Sequence, residues 1–507
     1  MEGKQQMQQQ PKYAVPIGLN YRLQIADAVP ASHNISQFLA SNASVFTESN
    51  NTIRINVSSG GFLDLKNAVL EFDLTNKTTT DAVILDGSAE CMINRIRILS
   101  SDGSEIERID QYGQLASVLE QYTSSDGSAR VKSIQKGSPK FIDETAEFAA
   151  VTVDGTAGLT STAAAQAYQS GIKVTSTTLF PSDAANDGKA TVAIEGGGGI
   201  GYSQLQCDKI NKDVKRKYSF GLKLGFFNPA TNQILPPGTP FQLEISLGKA
   251  VECLVRSGTH ANDVVAYEVQ NVELHVPTIV VNDAEYMASV NARLAGGVSF
   301  KCKSYNHFVN TTSGGGVGKD TIQISARARS LKGLMSIMRK QARISSSADF
   351  KLSKRSLQFI TDFQYKINST NYPVDRVNFS VSDNLTGETP ALTRLPLADT
   401  KNLNVCEAYN HAMRLFGGLN SSNTNCLIGL ESFAQSELNN GTGLMCIDLQ
   451  SFSDGSVNSG INTLNNGVVQ LEITKSAACN AVVQIDTYSV HELIVVRSPS
   501  GVLQSMY

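Results

Sequence analysis

At 507 residues the chain is long enough for two to four domains of about 100–200 residues each, with large β domains favouring the low end. Its 41% hydrophobic and 18% charged residues, 40 Gly and no Trp exclude disorder over most of the length and exclude a coiled coil. With 43 Lys plus Arg against 46 Asp plus Glu the formal net charge is −3, too balanced for binding nucleic acid through an overall field, so any such contact must be local.

In chain order, residues 1–20 hold five Gln, two Lys and two Pro without a period, and read as a flexible arm that orders only against a partner. From Thr52 the pattern is β: Ile53, Ile55 and Val57 alternate with Arg54 and Asn56, and Ala68, Leu70, Phe72 and Leu74 repeat the alternation. Ile96 and Ile98 stand against Arg95 and Arg97, before a turn at Asp102-Gly103 that suits a two-residue hairpin with positive φ at both positions. DQYGQLASVLEQY then predicts a short amphipathic helix, with Asp110 as N-cap and Leu115, Val118, Leu119 and Tyr122 on one side. Strand signals thin out from about residue 124 to 213, where 150–206 contain only six charged side chains. They resume at KYSFGLKL, TPFQLEISL and VVAYEVQNVELHV, and in the last the inward phase slips from Val265, Tyr267, Val269 to Val272, Leu274, Val276, which requires a bulge near Gln270 and Asn271.

NDAEYMASVNARLAGG predicts a second capped helix, with Met287, Val290 and Leu294 on one side, and marks the domain boundary. Beyond it the order returns: strands around Phe300 and Cys302, around Ile322 and Ile324, through Leu357–Ile367 and around Val377, Phe379 and Val381. A helix with Val405, Tyr409, Ala412 and Phe416 at helical spacing follows, then strands at LMCIDL, VVQLEI and AVVQIDTYSVHELIVV. Six Asp-Gly and two Asn-Gly dipeptides supply tight turns, and no regular βαβ alternation appears. The expected fold class is all-β, two consecutive eight-stranded jelly-roll β-sandwiches with short helices and long inserted loops. The division is a flexible arm at 1–20, a first jelly roll at 21–285 with the insertion at about 124–213, a second at 286–498, and a C-terminal tail at 499–507.

Motifs with chemistry fail on inspection. GGGVGKD at 314–320 resembles a phosphate loop, but Ser313 replaces its first Gly and Asp320 its metal-binding hydroxyl, so it reads as a flexible hairpin loop between strands. Gly196, Gly198 and Gly201 satisfy GxGxxG only through a four-glycine run. His491-Glu492 opens like a zinc-protease motif, but Val495 stands where the second His belongs, and the six His include no close pair. No catalytic, cofactor or metal residues are assigned. Paired carboxylates for hydrolysis remain open, because folding can join any two of the 46 acids.

The eight Cys lack any CxxC and read as buried free thiols; the eleven N-x-S/T sequons arise by chance in a chain rich in Asn, Ser and Thr. The MEGKQQMQQQ start lacks a signal peptide's apolar core and no stretch is long enough for a membrane span, so a cytosolic or nuclear site is expected. One basic cluster stands out: Arg327, Arg329, Lys332, Arg339, Lys340, Arg343, Lys351, Lys354 and Arg355, around a helical stripe of Leu331, Leu334, Met335 and Met338. It reads either as a surface for an acidic partner or phosphate, or as a solvated helix face packed on its own domain.

INRIRILSSDGSEIERIDQYGQL at 93–115, the two β halves each interrupted by a helix and large loops, and the terminal AVVQIDTYSVHELIVV together resemble the double jelly-roll major capsid proteins of icosahedral double-stranded DNA viruses, of the polinton-like virus and virophage type. The resemblance covers nearly everything from about residue 20. It implies two upright jelly rolls, a homotrimeric pseudo-hexagonal capsomer, contacts with neighbouring capsomers and with penton and minor capsid proteins, no sequence-specific nucleic acid, and a place in the virion. It transfers no catalytic residue and no cofactor. The competing classes are a two-domain attachment or glycan-binding protein and a double jelly-roll hydrolase with clustered acids between its domains.

Overall fold

The structure, a computed structural model, describes residues 31–80, 82–124, 135–137, 209–229, 234–257, 264–312, 317–347, 351–353, 355, 360–378, 406–416, 442–451, 459–465, 467–475 and 482–506, with short strands between 140 and 206. Alternation decides the local structure. In strand β2 (Thr52–Val57), Ile53, Ile55 and Val57 are at most 2% exposed while Arg54 faces solvent. The first half contributes β1 (Ala31–Leu39), β2, β3 (Val69–Asn76), β4 (Ile93–Ser100), β5 (Glu105–Asp110), β6 (Lys215–Phe220), β7 (Phe241–Leu247) and β8 (Tyr267–Val281). These form two antiparallel sheets, in the orders β1-β8-β3-β6 and β2-β7-β4-β5.

The second half contributes β9 (Val298–Thr312), β10 (Gly318–Ile324), β11 (Leu331–Lys340), β12 (Ile360–Ile367), β13 (Thr370–Asn378), β14 (Met445–Asp448), β15 (Val469–Lys475) and β16 (Val483–Arg497). Their orders are β9-β16-β11-β14 and β10-β15-β12-β13, the first pattern shifted by eight strands. First strand beside last, with successive strands alternating between two sheets, is the jelly roll, and it occurs twice. Strand pairing among the described residues stays within 31–281 or within 298–506.

Each sandwich is filled by the inward residues of its own sheets. Phe72 of β3 meets Tyr218 and Phe220 of β6 with ring centroids 6.2 and 5.8 Å apart, opposite Ile55, Ile96 and Leu243. Phe363 and Tyr365 of β12 and Leu471 of β15 fill the second, where the Tyr365 hydroxyl donates to Ser336 Oγ at 2.8 Å. The expected bulge in β8 is present: its register against β3 shifts between Gln270 and Glu273, and Asn271 has φ 51°, a left-handed conformation that Asn tolerates.

Several local expectations change. The β4–β5 turn spans three residues, since Gly103 alone has positive φ (84°) and Ser100 N–H donates to the Ser104 carbonyl, which makes a bulged hairpin. Helix α1 (Tyr112–Thr123) starts at Gln111, not at Asp110, whose carboxylate takes the Arg108 guanidinium; α1 also has no wet face, because every residue from Tyr112 to Tyr122 is buried. The stripe Leu331–Met338 is strand, not helix. Strand β11 lies in the middle of its sheet with both faces covered, so LKGLMSIMRK is a near-continuous apolar run that fits helical spacing equally well. The glycine-rich segment at 313–317 joins β9 to β10 in a different sheet, so it is no hairpin loop; Asp320 there pairs with Lys475 at 2.7 Å. Residues of the expected C-terminal tail return as β17 (Leu503–Met506), paired with the end of β16.

Candidate assembly surfaces and the seam between the halves

Groups 100 or more residues apart in sequence meet at the junction of the two halves. Asp86, fully buried just after the short strand Ala82–Leu85, accepts backbone N–H groups of Lys351 (2.7 Å), Leu352 (2.7 Å) and Ser353 (3.0 Å) and the Ser353 hydroxyl (2.6 Å). Helix α1 lies along the same junction. Its Gln121 donates to the Ser353 carbonyl at 2.9 Å and accepts from the buried Arg355 guanidinium, which also donates to the Thr442 carbonyl. Tyr122 donates to that carbonyl at 2.9 Å and stacks on Phe416, 4.9 Å between centroids, at the end of helix α2 (Cys406–Leu415).

Buried charges are consumed by fixed donors. Glu107 of β5, 1% exposed, accepts Gly225 N–H, Phe226 N–H and the Ser304 hydroxyl of β9. Burial pushes its pKa up, against the pull of those donors. Asp486 of β16 is also fully buried. Desolvation opposes its charge, yet the two-pronged Arg339 guanidinium (3.0 and 2.7 Å) and His307 (2.9 Å) hold it below the usual carboxylate range. In the first half Glu90 and Glu120 share Lys136 (3.3 and 3.1 Å) and Lys223 (2.9 and 3.2 Å); burial disfavours the Lys136 ammonium, but the two acids win and raise its pKa. Sequence reasoning missed all of these. Each of these acids is held by donors within the fold.

The basic cluster does not form one surface. Arg327 and Arg329 are exposed, Lys340 and Arg343 half-buried, and Lys332 lies 4.0 Å from Glu492. Arg339, Lys351 and Arg355 are buried in ion pairing or at the seam; Lys354 lies outside the described residues. Cys91, Cys253, Cys302 and Cys446 are buried free thiols and Cys406 is an exposed one; burial raises the first four. Glu71, Glu273 and His275 come together on the outer face of β3 and β8, with their ligand atoms within 4.8 Å of one another, but Lys217 already pairs with Glu71 at 2.6 Å. Among the described residues no helix is long and apolar enough to cross a membrane.

What the seam covers on one half stays bare on the other. Strand β5 and its neighbours are buried against β9, through Glu107 and through Phe226 on Phe300 (6.3 Å), and the outward face of β16 is covered by α1, whose Gln114 and Gln111 take the Tyr488 hydroxyl. Among the described residues their counterparts eight strands away are open. None of the nine residues of β1, beside β8, is buried, with Ile35 58% and Leu39 60% exposed, and Val374 of β13 is 83% exposed. No described strand pairs with the outer edge of β1, and ASHNISQFL contains neither Pro nor Lys to blunt it.

No family model and no curated protein matches the chain. Solved structures do. The Faustovirus major capsid protein aligns at TM-score 0.54 and 10% identity over 95% of this chain and 92% of its own. A chain of the Sputnik virophage aligns at 0.53 and 11%, over 98% and 92%, and the mavirus major capsid protein at 0.50 and 9%, over 99% and 97%. At such identities the likeness is one of fold, and it spans both halves. The chain thus has the all-β tandem jelly-roll fold found in viral major capsid proteins such as those of Faustovirus and mavirus.

Proposed function

We propose that this protein is a major capsid protein, a structural subunit that forms pseudo-hexagonal homotrimeric capsomers tiling an icosahedral viral shell. The observation that carries this is the repeated strand order, present in both halves and matched over at least nine-tenths of known capsid subunits. The buried seam supports the same reading, since a tile must hold its two modules at a fixed angle. A role by shape, without catalysis, agrees with buried acids that are each held by donors.

Under this reading residues 1–20 are a flexible arm on the inner side of the shell, 21–285 and 286–498 are the two modules, and 124–213 face outward. The partners are further copies, then penton and minor capsid proteins, and the location is the virion. Negative-stain microscopy of the purified protein tests it: three-fold particles with hexagonal outlines are expected. A monomer at micromolar concentration would overturn the proposal, because an obligate assembly of this kind buries well beyond the ~1,600 Å² of a standard interface.

A further inference from the structure

The ladder of β8 with β3 brings two acids and an imidazole over one patch of the outer face of the first sandwich. Glu273 and His275 are two residues apart on β8 and so share a face, and Glu71 of β3 stands directly opposite Glu273. His275 Nε2 lies 3.1 Å from Glu273 Oε2 and 3.7 Å from Glu71 Oε2. Bonds of about 2.0–2.1 Å to a tetrahedral zinc-class ion separate its ligand atoms by about 3.4 Å, and the two observed distances straddle that value. A second observation also calls for a cation: like charges directly opposite one another across a ladder are destabilising, and Glu71 faces Glu273. Lys217 of β6 answers with its own ammonium, 2.6 Å from Glu71, on a side chain that is 60% exposed. From the other side Gln37 of β1, paired with His275, donates to Glu273.

We propose that Glu71, Glu273 and His275 form a binding site for a zinc-class divalent cation, with one imidazole nitrogen and two carboxylate oxygens as ligands and water completing the coordination. An imidazole in the set selects zinc, cobalt or nickel over calcium and magnesium, which take oxygen ligands. The three side chains are 22–27% exposed, sheltered at their flanks and open to solvent above, so an ion enters from water. Binding displaces the Lys217 ammonium, whose exposed stem swings into solvent while the strands stay in place. The ion then ties β8 to β3 at Glu273, the first pair after the register shift at the bulge. Its ligands come from positions 71, 273 and 275 and meet only in the folded sheet, so the ion stabilises the native state. The site stands on its own geometry, independent of the capsid role.

Cobalt tests it, because Co²⁺ takes zinc's ligands and is coloured when bound. The full chain, stripped with a chelator, is titrated with CoCl₂ and the bound ion is then displaced with ZnCl₂. The wild type is expected to develop visible absorption that saturates at one equivalent and is bleached by zinc, with no sulfur charge-transfer band in the near ultraviolet. His275→Gln and Glu273→Gln, at partly exposed positions and with unchanged circular dichroism, are expected to lose the visible bands. Lys217→Met is expected to bind roughly tenfold more tightly, since the competing ion pair and its like charge are gone. Zinc is expected to raise the melting temperature of the wild type and to leave that of Glu273→Gln unchanged. A wild type that stays colourless, bands that persist in both Gln variants, or weaker binding by Lys217→Met overturns the site. A sulfur band does so too, since it assigns the ion to a thiol such as the exposed Cys406.

Discussion

Asp86, Glu107 and Asp486 show how little of a buried site can be read one residue at a time. Each is an ordinary acid in sequence, and each becomes a junction only because the fold delivers donors from far along the chain, such as residues 351–353 to Asp86. His491 is legible in the same limited way. Its neighbours excluded a zinc motif, but not that it would be 1% exposed in the central strand β16, where burial lowers its pKa to about 4 against a weak pull from the Ser489 backbone. In the unfolded chain the imidazole takes a proton near pH 6.5, in the native state only near 4, so the unfolded state binds more protons between those values. Stability is therefore complete above about pH 6.5 and falls as pH drops towards 4, by about 3 kcal/mol from this residue. His411, lowered by burial and by Arg414, acts in the same direction. Urea unfolding measured from pH 7 to pH 4 is expected to show this decline, and His491→Gln to remove the larger share of it.

At the scale of elements, strands with one wet face were legible and elements buried all round were not. β2, β4 and β8 announce themselves by alternation, including the slip that becomes the bulge at Asn271. β11 does not, because a strand covered on both faces has no polar phase, and α1 lost its amphipathic character for the same reason. The halves carry one short echo that the strand pairing makes visible: QLEI occupies residues 242–245 of β7 and 470–473 of β15, strands at the same place in their sheets. Glu244 takes Arg54 and Arg97 from the strands on either side of it, and Glu472 takes Arg376 from β13, the strand beyond its neighbour β12, so each glutamate is bridged by arginine across its sheet. The seam itself has a narrow tolerance. A Cβ on Gly225 would lie 2.5 Å from the Lys303 carbonyl oxygen, a backbone atom with no freedom to retreat, and 3.0 Å from Glu107. Gly225→Ala is expected to cost about 1–3 kcal/mol by overpacking and to speed amide exchange at Phe226, whose N–H binds Glu107, relative to the distant strand β7.

At the scale of the whole molecule, a repeated module raises the question of why only one of its two equivalent contacts is satisfied within the chain. A repeat that met both needs internally would be closed and would leave no edge for a neighbour. Among the described residues nothing pairs with the outer side of β1, and Val374 of β13 is bare; an unprotected nine-residue edge is a liability in a protein that stays single. Pro373 on β13 removes one donor from that edge, which limits indiscriminate strand pairing while leaving side chains free to dock. Assembly that uses these surfaces only when both halves are folded must stabilise the native state by mass action. The melting temperature of the wild type is therefore expected to rise over about a hundred-fold increase in protein concentration, whereas that of Ile35→Asp is expected to stay constant; differential scanning fluorimetry on the two proteins side by side makes the comparison. A wild-type melting temperature indifferent to concentration would mean that folding and association are uncoupled, and that the bare edges serve no neighbour.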